Sequence, residues 1–303
     1  STDTFTGSGG SITGALTDGA GTSPLNSTLS VGSANLTGAV ILGSNTAITT
    51  SGGGSIVFGS TVDGAGNTLG LTAGAGSITF TGAVGGGGAL GTITINSAFN
   101  VGAAAITAAS LTQSAGTGTT TLGGVVTSTG AVSFTTSTFN NTSTINGTSL
   151  AVIAPTLTNL GNVSVGGGSV TVSGVTSAVN IGTNIGALTA GSLSVTTTGA
   201  LSGTNVAALG TVELNGSTVG VTLGTIGTLK GTTSGGLVTD VFNVTATGIS
   251  SVGSIVANTA PGTHNVTLIA PGSTILVGGG TPSINANGAV AFTATGVGTV
   301  GTP

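Results

Sequence analysis

Apolar and hydroxyl side chains take turns along much of this chain. In Ser77-Ile78-Thr79-Phe80-Thr81, and again in Thr92-Ile93-Thr94-Ile95-Asn96, every second residue is apolar. A period of two places Ile78 and Phe80 on one face of an extended strand and the Thr and Ser side chains on the other. Gly, Asn and Asp-Gly stand between such runs, where turns need positive φ or a side chain that bonds its own backbone. Val, Ile, Thr and Phe fit a pleated, half-buried surface, whereas Gly, Thr, Ser, Val and Asn are poor helix formers. The pattern predicts short β-strands and no substantial helix.

The strands repeat. Ser55-Ile56-Val57-Phe58-Gly59-Ser60-Thr61-Val62 returns one repeat later as Ser77-Ile78-Thr79-Phe80-Thr81-Gly82-Ala83-Val84. Asp18-Gly19-Ala20-Gly21 returns two repeats later as Asp63-Gly64-Ala65-Gly66. A Thr-Gly-Ala-Val/Leu word begins at Thr13, Thr37, Thr81, Thr129 and Thr198. All these spacings lie near multiples of roughly 22–24 residues, the signature of a stacked repeat. Two or three short strands with their turns fill one such unit, and stacking the units buries Ile, Val, Leu and Phe inside a common core. The expected fold is all-β, a parallel β-solenoid with coils of about 22–24 residues. A β-sandwich array also shows short strands with regular turns, but at a repeat of a whole domain. Residues 1–303 read as a single repetitive segment, least regular at 201–260, and compatible with a longer chain. The opening at Ser1 lacks Met and a basic, apolar leader.

Composition narrows the function. The chain carries one basic side chain, Lys230, against Asp3, Asp18, Asp63, Glu213 and Asp240, and has one histidine, His264. Only 2% of residues are charged, 60 are Gly, and Cys, Met, Trp and Tyr are absent. Nucleic-acid binding needs Lys and Arg to displace phosphate counterions, so it is excluded. Mean hydropathy is +0.60 with only six Pro, which is not the composition of a disordered segment. No long apolar run predicts a transmembrane helix, and a membrane barrel would want Trp and Tyr girdles.

The run from Asp63 to Leu69, followed by Ala73-Gly74-Ala75-Gly76-Ser77-Ile78-Thr79-Phe80-Thr81-Gly82-Ala83-Val84-Gly85-Gly86, resembles the β-strand repeats of very large bacterial surface proteins. It is similar to adhesins of the filamentous-haemagglutinin-like and autotransporter-passenger type, most clearly over residues 36–150. That resemblance implies a right-handed β-helix, export across the envelope, and adhesion or a surface coat. The chain departs from those families in lacking an Asn-Pro-Asn-Gly-Ile secretion motif and a translocator barrel.

Candidate chemistry is thin. Asp18 and Asp63, expected in equivalent Asp-Gly-Ala-Gly turns, read as turn residues bonding their own backbone. A calcium site would need six to eight oxygens and several carboxylates. His264 with Asp240 or Glu213 could form an acid–base pair, but no nucleophile or oxyanion donors accompany them, and His264 reads as a solvated loop residue. Lys230 is a lone charge. Gly296-Val297-Gly298-Thr299-Val300-Gly301 matches a dinucleotide-binding spacing without the helix it requires. Gly85–Gly88 reads as a flexible turn with no base beside it to cradle phosphate. Thr-x-Thr pairs at 92–94, 117–121, 196–198, 245–247 and 293–295 read as ordinary outward strand residues and not an ice-binding file. Sequons at Asn26, Asn35, Asn140, Asn141, Asn146, Asn162, Asn215, Asn243 and Asn265 offer glycan acceptors at little more than chance frequency.

No catalytic, metal or cofactor site is therefore expected. The expected function is a structural component of an extracellular or cell-surface assembly (a fibre, stalk or layer), with an adhesin module as the alternative. Both the opening Ser1–Thr6 segment and the closing Ala289–Ala294 segment look like interior coils. Exposed strand edges would then favour self-association, end to end or with neighbouring copies.

Overall fold

The computed structural model describes residues 10–19, 21–181, 184–186, 188–190 and 192–197. Beyond these it describes the strands at 201–203, 212–216, 221–223, 240–246, 249–252, 255–257, 264–270, 275–277 and 284–286, and residues 289–294. Among the described residues there is no helix. Every strand pairing given below is parallel, and each strand pairs with the one a coil away. This is a β-solenoid. A β-sandwich, which requires antiparallel sheets, is excluded. The chain divides into two compact units, Ser1–Val152 and Ile153–Pro303.

In the first unit each coil has three sides, and each side contributes one rung to a ladder. In the second ladder, Ala34, Ile56, Ile78, Val101, Thr120 and Phe139 lie in register. The numbering advances by nearly equal steps as far as Val101, and by shorter ones to Thr120 and Phe139. In the third, the file is Ser23, Val40, Val62, Val84, Ile106, Val126 and Ile145. In the first, it is Leu29, Ile48, Leu71, Ile95, Gln113 and Phe134. Nearly all of these side chains are buried. Each fully buried Val, Leu, Ile or Phe contributes about 1.5–3 kcal/mol over leaving it in water. The parallel files supply that contribution coil after coil.

Coils of the expected length, about 22–24 residues, span the centre of this unit, and shorter ones flank it. The change is concentrated at two of the three corners. From the second ladder to the third the separation stays at six residues in five coils: Ala34 to Val40, Ile56 to Val62, Ile78 to Val84, Thr120 to Val126 and Phe139 to Ile145. From Val101 to Ile106 it is five. From the third ladder to the first it varies from six (Ser23 to Leu29) to eleven (Val84 to Ile95), then falls to seven (Ile106 to Gln113).

Hydrogen bonding accounts for the constancy. At the constant corner Gly59 N donates to Leu36 O at 2.7 Å, Thr81 N to Phe58 O at 2.9 Å, and Val62 N to Ala83 O at 3.0 Å. The inter-coil ladder therefore runs through the bend, and an extra residue would break it. No described residue of that corner has positive φ. Gly52, Gly53 and Gly74 on the first-to-second corner do, as do Ala65, Gly66 and Gly85 on the third-to-first. Those corners keep inter-coil bonds, such as Gly66 N to Ala89 O at 2.8 Å and Phe99 N to Gly76 O at 2.7 Å, but turn through positive-φ residues between them.

The second unit repeats the principle. Val170, Leu193, Val212, Phe242, Val266 and Val290 form one parallel file. Its steps to Leu193, Val266 and Val290 keep the repeat of about 22–24 residues. Val179, Leu201, Val221, Ile249 and Ile275 form another. Parallel stacking thus links the described strands between 201 and 260. The steps from Val212 to Phe242 and from Val221 to Ile249 are longer than any in the files of the first unit.

Candidate functional site

Asp18 and Asp63 do not occupy equivalent places. Asp18 follows the Thr17–Asn35 pair, with its amide on Asn35 O at 3.2 Å. That position belongs to the file that continues as Leu36, Phe58 and Phe80. Asp63 pairs with Ile41 in the third ladder and opens the next corner. The same four-residue word serves two different bends, because both need only small, adaptable backbone after the carboxylate.

The backbone amides that bond these carboxylates come from the next coil and not from their own turns. Asp18 is buried and accepts hydrogen bonds from Ser23 Oγ at 2.5 Å, Thr37 N at 2.5 Å and Gly38 N at 3.4 Å. Asp63 accepts from Gly87 N at 2.7 Å and Gly88 N at 3.2 Å. Each carboxylate therefore joins its coil to the following one through charge-assisted bonds, the stronger kind. The Gly85–Gly88 run, expected as a bare flexible turn, does gather amides around an anion. That anion is Asp63.

A second polar group lies inside the first unit. Gln113 takes the core position between Ile95 and Phe134, and Thr120 the one between Val101 and Phe139. Thr120 Oγ1 donates to Gln113 Oε1 at 2.8 Å and lies 3.1 Å from Thr136 Oγ1, while Thr136 Oγ1 donates to Gly118 O at 3.0 Å. All three residues are buried, and Gln113 Nε2 has no partner. The alternation of Leu111 with Gln113 was the available signal. Residue type alone argued for an outward position.

His264 is the first residue of a strand, His264–Ala270, and not a loop residue. Its ladder neighbour is Asp240. Pro261-Gly262-Thr263 in front of it suggested a loop, and the strand begins one residue later. Glu213 pairs instead with Asn243, three positions along from Asp240. Lys230 and Gly296–Gly301 lie outside the described residues. Among the described residues no group of three or more His, Asp or Glu gathers to hold a metal ion, and no helix is long and apolar enough to cross a membrane.

The outward Thr pairs do not form one continuous file. Thr92 and Thr94 lie over Ser110 and Thr112, but Gly70 is the other neighbour of Thr94. Two stacked hydroxyl pairs bond one another: Ser110 Oγ to Thr92 Oγ1 at 3.0 Å, and Ser133 Oγ to Thr112 Oγ1 at 3.4 Å. Among the sequons, Asn26, Asn35 and Asn162 are exposed, whereas Asn141 is fully buried. Its side chain bonds Ser143 at both the amide and the carbonyl. Asn141 is thus no surface acceptor.

Comparison with protein families, with curated proteins and with solved structures returns no match for this chain.

Proposed function

We propose that this chain is a structural component of an extracellular or cell-surface assembly, a fibre, stalk or layer made of stacked β-coils. The observation that carries this reading is the residue-for-residue stacking of aliphatic side chains in parallel ladders. Such a core commits the described strands to coil-on-coil contact, and the exposed positions among the described residues are mainly hydroxyl, amide and glycine. The reading involves no catalytic step and no cofactor. With a net charge of −4 over 303 residues, little electrostatic repulsion opposes association between copies.

Sedimentation and negative-stain electron microscopy of the full chain at micromolar concentration test this proposal. Filaments, sheets or a concentration-dependent series of larger species are expected. Isolated monomers at every concentration would overturn it.

A further inference from the structure

We propose that the second ladder carries a binding notch for a neutral saccharide, centred on Gly102. Thr79 and Thr121 both pair with Gly102, one from the preceding coil and one from the following. Their backbones are therefore two strand spacings apart, about 9.6 Å. Ser110 and Thr92, adjacent outward hydroxyls on the first ladder, bond one another directly at 3.0 Å. Across Gly102 that bond cannot form, since no side chain bridges the gap.

The result is an open notch of about 430 Å³ lined by Ser77, Thr79, Asn100, Gly102, Thr119 and Thr121, together with the intervening Ile78 and Val101. That volume lies toward the small end of the range for ligand sites. Asn100 Oδ1 accepts from Thr119 N at 2.8 Å, which leaves the amide nitrogen as the free donor. Among the described residues, no protein group bonds that nitrogen or the side-chain hydroxyls of Ser77, Thr79, Thr119 and Thr121. Five polar groups thus face one small opening, with no charged residue in its lining.

Phe99, next to Asn100 in the chain, is 47% exposed and stands at the corner leading into the notch. Phe58, Phe80, Phe134 and Phe139, by contrast, are buried. Phe99 does not itself line the notch, but as the exposed chain neighbour of the lining residue Asn100 it offers an aromatic face to the C–H side of a sugar ring, while the hydroxyl and amide groups of the lining suit its hydroxyl edges. The absence of charge selects against sulfated or carboxylated sugars.

Amide-resolved NMR titration of the full chain tests the notch, with cellotetraose, maltotetraose and chitotetraose as probes. At least one is expected to saturate with a dissociation constant on the order of 1 mM, shifting residues 77–79, 99–102 and 119–121. A Cβ at Gly102 meets nothing within 4 Å, so Gly102→Thr is expected to fold normally, to restore the hydroxyl file and to weaken binding at least about tenfold. Phe99→Ala should weaken binding several-fold. Saturation by none of the three probes, or unchanged binding in Gly102→Thr, overturns the proposal. Either result leaves the structural reading intact, because that reading needs no ligand.

Discussion

Phe58 stacks on Phe80 one coil away, with ring centroids 5.0 Å apart and ring planes 3° from parallel. The two residues pair in register in the second ladder and are both buried. Phe58→Ala should therefore cost about 3–5 kcal/mol of unfolding free energy, through lost transfer energy and the cavity left behind. The double mutant with Phe80→Ala should reveal coupling of about 1 kcal/mol beyond area burial. Denaturant unfolding checks both, and purely additive losses would refute the stacking contribution.

Replacing Gln113 by Leu should raise the unfolding midpoint. The substitution removes the unpartnered buried Nε2 and continues the file from Ile95 to Phe134. Thr120 keeps its contact with Thr136. A gain of about 1 kcal/mol is expected, measured by thermal or denaturant unfolding. A loss would mean that the amide nitrogen is satisfied by an ordered water worth keeping.

Removing the carboxylates should separate the two Asp residues. Asp18→Ala leaves the buried donors at Ser23 and Gly38, and the part-buried Thr37 amide, without an acceptor and should cost about 3 kcal/mol. Asp63→Ala leaves Gly87 and Gly88 amides in a more open corner, where water can replace the carboxylate, and should cost about 1 kcal/mol. Adding a chelator should leave the melting temperature of the wild-type protein unchanged. A drop that Ca²⁺ reverses would show that these oxygens hold a metal.

Expression through a glycosylating secretory pathway should leave Asn141 unmodified in the folded product. Its side chain is enclosed and bonded to Ser143. Asn26, Asn35 and Asn162 are exposed and able to carry glycan. Peptide mass spectrometry would settle this, and occupancy at Asn141 in a cooperatively folding protein would contradict its burial.

The matching words at Ser55–Val62 and Ser77–Val84 were legible because they cover the second-to-third corner, where continuous inter-coil hydrogen bonds fix the length. The Thr-Gly-Ala word was a weaker guide. It falls on that corner at Thr37 and Thr81, but between the third and first ladders at Thr129. Small residues suit any bend, so sequence words that mark bends cannot say which bend. The backbone amides that Asp18 and Asp63 accept from lie in the next coil, and the gap at Gly102 exists only once its neighbours Thr79 and Thr121 are known. Both depend on register between strands distant in sequence. Periodicity within one strand does not reveal that register.

The near-constant corner also bears on how such a chain can drift under mutation. In a tandem array of fixed repeat length, each inserted or deleted residue displaces everything downstream, and the errors accumulate. Here the stretch from Val84 to Ile95 is longer than its counterpart from Ile106 to Gln113, and the next rungs still meet their partners at Thr120 and Val126. The short bend acts as a margin at which every line of the text begins afresh. Length changes elsewhere become local spelling variants, and the array can diverge in sequence without losing its place.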